Sequence, residues 1–420
     1  MTEKQSIPKF SKHFLWGAAT AAHQIEGSNH NQWTVWELEN AKVKAAQAEY
    51  HIHDFESWDR IKTSAKDPHN YVSDKLADHY NRYEEDFDLL KSMSMNAYRF
   101  SVEWSRIEPE EGVWNAEAIE YYEHYVDALK QRGIEPIVTL FHFTLPIWFV
   151  EKGGFEKRSN VKYFTRFAKK IISELGLSVR YIITINEPEV YATMSYYWQE
   201  WPPAVHNPYK FWRVINNLAL AHRQAAKAIH GINRRYKVSI AKNSCYFYPG
   251  DDAWLSRVSA VIAQYIEDDY FIKKVIRHCD FLGVNYYQSF RFYGYRIHNP
   301  ERLVNDLNWT MTPGDIQYVL ERLHNKYRLP IIITENGLAD SEDKHRQWWV
   351  TQTILGMQKA IRNGVKLEGY LHWSLIDNFE WAYGKWPRFG LAAINYKTGE
   401  RTLRPSGRWF GRIIKKIRDV

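Results

Sequence analysis

The residues of this 420-residue chain that bear chemistry fall in short clusters, and two of those clusters each hold one glutamate. Thr184-Ile185-Asn186-Glu187-Pro188 closes one apolar run, and Thr334-Glu335-Asn336-Gly337 closes another. Further runs end in Ala22-His23-Gln24, in Phe141-His142-Phe143, in Asn285-Tyr286-Tyr287, and in Leu371-His372-Trp373 with Glu380-Trp381 beyond it; one more contains Arg99. Paired carboxyl groups are the equipment for cleaving a glycosidic bond. One protonates the leaving oxygen, and the other attacks the anomeric carbon or activates water. Gln24, His142, Asn186, Asn285 and Glu380 are side chains that hydrogen-bond hydroxyls, while Trp373 and Trp381 offer flat apolar faces for stacking. The set suits a neutral, polyhydroxylated ligand. A carboxylate that attacks must stay ionised, which Arg99 and a tyrosine hydroxyl beside it favour by charge and hydrogen bonding. A carboxyl that gives up a proton needs a raised pKa, which lack of such support and a second carboxylate nearby supply. Taken alone, Arg99 reads equally well as a member of a buried ion-pair network, and Gly283 and Gly337 read as turn glycines. The two glutamates taken together with the amides and tryptophans read as catalysis.

Clusters so far apart in sequence need a scaffold that gathers them. Eight runs rich in β-branched and aromatic residues are predicted as strands: 14–22, 96–103, 135–141, 181–186, 237–243, 280–287, 330–334 and 369–374. Several, such as Ile331-Ile332-Ile333, are apolar on both faces, as strands buried between two layers must be. Between them, apolar residues recur at helical spacing over 76–93, 116–132, 161–175, 209–229, 314–327 and 344–363, with 256–278 as a helix in two pieces and a final helix from Ser406. Alternating strand and helix means a parallel sheet. Eight such units mean a (β/α)8 TIM barrel, in which the C-terminal strand ends, and so all of these clusters, converge on one face. The whole chain, 1–420, reads as a single α/β barrel domain, with an insertion at about 29–72 lying over that face.

Composition narrows the classes. A net charge of +7 and a pI near 9.0 raise the question of nucleic acid. But 56 basic residues are interspersed with 49 acidic ones, and no basic run is interleaved with aromatics, so no nucleic-acid partner is expected. Lys415, Lys416 and Arg418 fall in the last turn of the final helix, where cations suit the helix dipole. No run of about 18 apolar residues occurs, so no membrane span or membrane partner is expected. The first ten residues lack the apolar stretch of a secretory leader, and two cysteines make no disulfide framework, which together suggest a cytoplasmic protein. There is no glycine-rich phosphate loop, no HExxH and no nucleophile-elbow serine. His51 and His53 have no third ligand at sensible spacing and read as surface histidines. No metal and no cofactor is expected.

In order and over almost the whole chain, the clusters resemble glycoside hydrolase family 1, the β-glucosidase family. The resemblance rests on Phe14-Leu15-Trp16-Gly17-Ala18-Ala19-Thr20 through Gly27, on Arg99-Phe100-Ser101 with Trp104-Ser105-Arg106, on 184–188, 281–287, 333–337 and 373–381, and on Arg388-Phe389-Gly390. It implies a retaining double displacement on small β-glucosides or short oligosaccharides, with galactosides or fucosides also accepted. Glu187 would be the acid/base and Glu335 the nucleophile, their carboxyl groups about 5–5.5 Å apart. Arg99, Asn285 and Tyr287 would support Glu335, and Gln24, His142, Asn186, Trp373, Glu380 and Trp381 would hold the sugar. Members that act on 6-phosphorylated sugars replace Glu380 by a small residue, so its presence implies an unphosphorylated glycon, Lys385 notwithstanding. Phe143 stands where the family usually has tryptophan. The segments between Tyr248 and Asp280 and before Lys344 look short, which implies a more open aglycone entrance. Trp198, Trp201, Pro202 and Pro203 read equally as an aglycone platform and as a packed loop. The alternative is a sugar-binding relative that keeps the fold and has lost the chemistry, against which both carboxylates are present.

Overall fold

The computed structural model describes residues 10–300 and 302–419; the leader reading concerns the first ten residues, of which the first nine lie outside the described residues. The eight predicted strands all form. They are β1 (Leu15–Ala19), β2 (Ala97–Ser101), β3 (Glu135–Phe141), β4 (Tyr181–Asn186), β5 (Lys237–Asn243), β6 (Leu282–Asn285), β7 (Ile331–Asn336) and β8 (Leu367–Trp373). All neighbours run parallel, and β1 pairs with both β2 and β8, so the sheet closes on itself as a barrel.

The strands are apolar on both faces because both faces are covered. Ala19, Ala97, Ile137, Ile183, Ile332 and Leu371 pack together in one cluster. Alternate residues such as Val138, Ile182 and Ile333 belong to a larger second cluster shared with the helices. The helix Val161–Leu175 shows how that layer is built: Phe164, Phe167, Ala168, Ile171 and Ile172 are buried at the three- and four-residue spacing of one helical face. Gly283 and Gly337 are not turn residues. A Cβ on Gly283 would lie 2.4 Å from the Ile240 carbonyl oxygen, and one on Gly337 would lie 1.8 Å from that of Trp373. Both are glycine because neighbouring backbone leaves no room for a side chain.

Other differences lie outside the barrel strands. The first predicted strand stops at Ala19, and Ala22–Ile25 is a helical turn. The Ala22 N–H donates to Ser101 Oγ at 2.7 Å, and the Glu26 N–H returns to the Ala22 carbonyl at 2.8 Å; these bonds curl the chain and turn Gln24 off the strand axis. The insertion is largely helical, over Gln32–Ile52 and Trp58–Ala65. Asn31 begins it with a capping box, its Oδ1 accepting from the Trp33 and Thr34 N–H groups while Thr34 Oγ1 accepts from the Asn31 N–H. Two accessory sheets were not foreseen. One joins Tyr246–Pro249, Ser289–Tyr293 and Arg296–Ile297, and the other pairs Ala392–Ile394 with Arg401–Leu403.

Candidate active site

The same backbone device delivers both glutamates. On β4, Ile183 pairs with Ser239 of β5 but Asn186 pairs with Ala241, so β4 takes one residue more than its neighbour just before Glu187. On β7, Ile333 pairs with Val284 of β6 and Glu335 with Asn285, again with one residue extra. Such bulges re-aim the side chain that follows them. Glu187 then sits at φ +39°, ψ +62°, a left-handed conformation uncommon outside glycine, and Pro188 opens a helix behind it. Phe143 and Trp381 also have positive φ, at +73° and +45°. Backbone held in this region costs about 1–3 kcal/mol per residue, and here three such residues stand around one site.

A continuous chain of hydrogen bonds links the two carboxyl groups. Arg99 donates from Nη1 to Glu335 Oε1 at 2.6 Å and from Nη2 to Asn186 Oδ1 at 2.7 Å, with Nε fixed on Thr139 Oγ1 at 2.9 Å. Tyr287 donates its hydroxyl to Glu335 Oε2 at 2.7 Å. Asn285, expected beside Glu335, donates from Nδ2 to Glu187 Oε1 at 2.7 Å and to Asn186 Oδ1 at 3.2 Å; Thr334 Oγ1 holds its carbonyl oxygen at 2.6 Å. It stands between the carboxylates and also weighs on Glu335. Thr139 is not visible in the sequence as a site residue, and Thr334 only as a member of its cluster, because a threonine inside a β-strand has no signal of its own.

The predicted sugar-binding side chains gather around this chain. Because Asn186 Oδ1 already accepts from Arg99 and Asn285, its Nδ2 faces His142 Nε2 at 3.2 Å. The imidazole therefore accepts at Nε2 and carries its hydrogen on Nδ1, which is buried without a partner. Gln24 donates from Nε2 to the Phe379 carbonyl at 2.7 Å and to Asn378 Oδ1 at 3.2 Å, and its Oε1 is buried and unpartnered; so is Glu380 Oε2. Buried polar atoms are nearly always paired. Here a donor, an acceptor and a carboxyl oxygen stand unpaired in one site, a complement for hydroxyl groups. The His142 ring lies parallel to Trp373 and Trp381, at 5.7 and 6.1 Å between centroids. Trp381 is held from behind by His23, stacked at 5.7 Å, and by Trp33 and Trp201. The peptide bond between Trp373 and Ser374 is cis.

Burial dominates the electrostatics. It pushes Glu187 up to about 8, with the neighbouring Glu335 adding to the rise and Asn285, Lys242 and Arg99 opposing it. Burial also raises Glu335, contrary to the expectation of a lowered pKa, but the Arg99 guanidinium and the Tyr287 hydroxyl pull against it. Because the charge of Glu335 bears on Glu187, the protons leave the pair in coupled steps. The bonded guanidinium and phenol place the first ionisation on Glu335; Glu187 has one neutral amide. Glu380 is pushed up to about 8 by burial and by the carboxyls of Glu335 and Glu187. Burial and Arg99 together hold His142 well below the usual histidine range, so it is neutral. Lys242 was missed: its buried ammonium lies 3.4 Å from Glu189 and 3.6 Å from Asp268, directly behind the Glu187 segment.

At the rim, the Trp198–Pro203 segment divides between its two readings. Trp201 is buried and packs 4.8 Å from Phe143 and 5.5 Å from Trp381, whereas Trp198 is exposed. Phe143, in place of tryptophan, is itself buried, and its carbonyl is held by Gln32 Nε2 at 2.8 Å. At the opposite end of the barrel a cavity of about 560 Å3 opens among Phe14, Arg180, Tyr181, Lys237, Asp280 and Lys366, and none of the predicted site residues lines it. Among the described residues no group of three or more His, Cys, Asp or Glu side chains is placed to hold a metal ion.

Known proteins resemble the chain over nearly its whole length. The sequence model described as Glycosyl hydrolase family 1 matches residues 6–281 and 266–418. The chain is 30% identical to β-glucosidase A of Acetivibrio thermocellus, with 97% of this chain and 98% of that one covered. Among solved structures it is similar to a β-glycosidase from Pyrococcus horikoshii, at 33% identity and a TM-score of 0.85, covering 97% of this chain and 95% of that one. It is also similar to a β-glucosidase from Thermotoga maritima in complex with glucoimidazole, at 27% identity and a TM-score of 0.86, covering 97% and 99%.

Proposed function

We propose, for a chain that belongs to glycosyl hydrolase family 1 and is a glycoside hydrolase of the β-glucosidase kind, a retaining hydrolysis of terminal β-D-glucosyl residues, with galactosyl and fucosyl residues also accepted. In the first step Glu335 Oε attacks the anomeric carbon as that carbon's bond to the leaving oxygen breaks. The released electron pair goes to that oxygen, which takes the proton of Glu187. In the second step Glu187, now a carboxylate, takes a proton from water. The water oxygen bonds to the anomeric carbon, and the Glu335 carboxylate departs.

The observation that carries this reading is the unequal support of the two glutamates. Glu335 accepts from a guanidinium and a phenol, while Glu187 accepts from one neutral amide and is pushed up to about 8. The first must attack as an anion, and the second must arrive with a proton. Gln24, His142, Asn186 and Glu380 take the sugar hydroxyls, and Trp373 and Trp381 its apolar face. The Glu380 carboxyl favours an unphosphorylated glycon, since a phosphate beside it would meet a like charge once the carboxyl ionises. The short segments before β6 and before Lys344 leave the aglycone side open, so bulky aglycones are tolerated.

The test is a panel of aryl β-glycosides. Wild type is expected to turn over the glucoside, and the 6-phosphoglucoside poorly or not at all. Glu335→Ala is expected to lose on the order of 10⁴-fold or more in kcat, with part of the turnover restored by azide as the α-glycosyl azide. Wild-type rates in Glu335→Ala sink the assignment.

A further inference from the structure

The helix Trp254–Gln264 and the π-helical turn Tyr265–Asp269 that continues it present the wrong face to the solvent. The buried residues of the helix are Ser256 and Ala260, and Ser256 Oγ accepts the Gly294 N–H at 2.7 Å. The large apolar side chains point out. Trp254, Leu255, Val258, Val261, Ile262 and Tyr265 are all exposed, Trp254 to 74% and Val261 to 69%. Their spacing puts them on one side of the helix. The adjoining accessory sheet adds Tyr295 and Ile297, exposed to 72% and 52%. A surface helix normally buries such a stripe, and an exposed contiguous one marks an interaction site.

The charges beside the stripe are mostly positive. Lys273 Nζ lies 4.6 Å from the Tyr265 ring, Lys274 Nζ 4.6 Å from Tyr270, and the Arg296 guanidinium 5.8 Å from Tyr295. Arg257 is exposed and pairs with Asp252 at 3.0 Å. Of the acidic neighbours, Asp251 and Asp252 sit at the start of the helix and Glu267 near its end. Asp268 and Asp269 are buried and answered by Lys242, Arg322 and Lys326. Aromatic rings accompanied by long cationic side chains are the composition of a segment that lies in a lipid interface, rings at the headgroups and cations among the phosphates. No helix of the described residues is long and apolar enough to cross a membrane, so the contact would be peripheral. The net charge of +7 adds attraction to an anionic surface, whereas a second copy of the chain brings the same positive excess.

We propose that this stripe docks the protein on an anionic lipid bilayer, a role separate from the hydrolysis assigned to the barrel mouth. The test is co-sedimentation of the full chain with vesicles of phosphatidylcholine alone and of phosphatidylcholine with phosphatidylglycerol. Wild type is expected to pellet with the anionic vesicles and to be released by salt. A Trp254→Ser, Val261→Ser, Ile262→Ser variant is expected to bind on the order of a hundredfold more weakly, with turnover of a soluble aryl glucoside unchanged. If that variant does not fold, Lys273→Glu with Lys274→Glu serves instead and is expected to lose the preference for anionic vesicles. Wild type left in the supernatant with anionic vesicles overturns the proposal, as does undiminished binding by the variants. A concentration-dependent dimer that the triple variant converts to monomer overturns it in favour of a second copy of the chain.

Discussion

The ends of β4 and β7 stand across the barrel from each other, with β5 and β6 between them, and each ends in a glutamate delivered by one extra residue in its strand. Beyond that they differ. At the end of β7, Glu335 is gripped through both oxygens by donors from β2 and from just past β6, one of them a fixed cation. At the end of β4, Glu187 has a left-handed backbone, one amide donor, and a buried lysine behind it that bears on its charge. The two groups are the same residue type and both are buried, so the difference between them lies in their neighbours. A nucleophile is made by holding the anion in place, and an acid by declining to hold it.

Removing the carboxyl at the β4 end should break the comparison most visibly. Glu187→Ala is expected to lose roughly 10²–10⁴-fold in kcat/KM on glycosides with poor leaving groups, and far less on nitrophenyl glycosides, whose leaving group departs without a proton. Equal losses on both would mean that Glu187 is not the acid. Next in size is Tyr287→Phe, which takes one donor from Glu335; a loss of about 10–100-fold in kcat is expected from a hydrogen bond to a charged group, with the acid limb of the pH profile moving up. A smaller effect is expected at Lys242→Met. Its ammonium holds Glu187 down, so without it Glu187 keeps its proton to higher pH, and the alkaline limb of kcat/KM, expected near 8, should move up.

The smallest effect is on stability. Glu187 is raised from 4.5 to about 8 in the folded protein, so between those pH values the folded state binds the more protons and stability falls as pH rises. Glu187→Gln removes that cost. Its melting temperature is expected to match wild type near pH 4 and to exceed it increasingly toward pH 9. A variant no more stable than wild type at pH 9 would mean that the carboxyl is not buried at a cost.

The barrel was legible because its strands are buried on both faces, which leaves short continuous apolar runs such as Ile331-Ile332-Ile333 that their length and β-branched residues identify. The meeting of Gln24, Arg99, His142, Glu187, Asn285, Glu335, Trp373 and Glu380 followed from the topology, since a closed parallel barrel brings all its strand ends together. What lay hidden was orientation. Nothing in the order Asn285-Tyr286-Tyr287 tells that the amide turns to Glu187 and the second phenol to Glu335. The extra residues in β4 and β7 leave no mark either, because a bulge is a property of the pairing rather than of one strand. The helix beginning at Trp254 shows the same limit at larger scale. The stretch 256–278 reads as a helix in two pieces, but the sequence does not say whether protein or solvent faces its apolar side, and here that side faces out.

The central claim is that Glu335 attacks the sugar while Glu187 moves the proton. The most direct measurement is the anomeric configuration of the first product, followed by proton NMR during hydrolysis of an aryl β-glucoside before mutarotation sets in. Two displacements at the anomeric carbon predict that β-glucose appears first and the α-anomer grows in only by mutarotation. α-Glucose as the first product would mean a single displacement by water, and would contradict the roles assigned to the two strand ends.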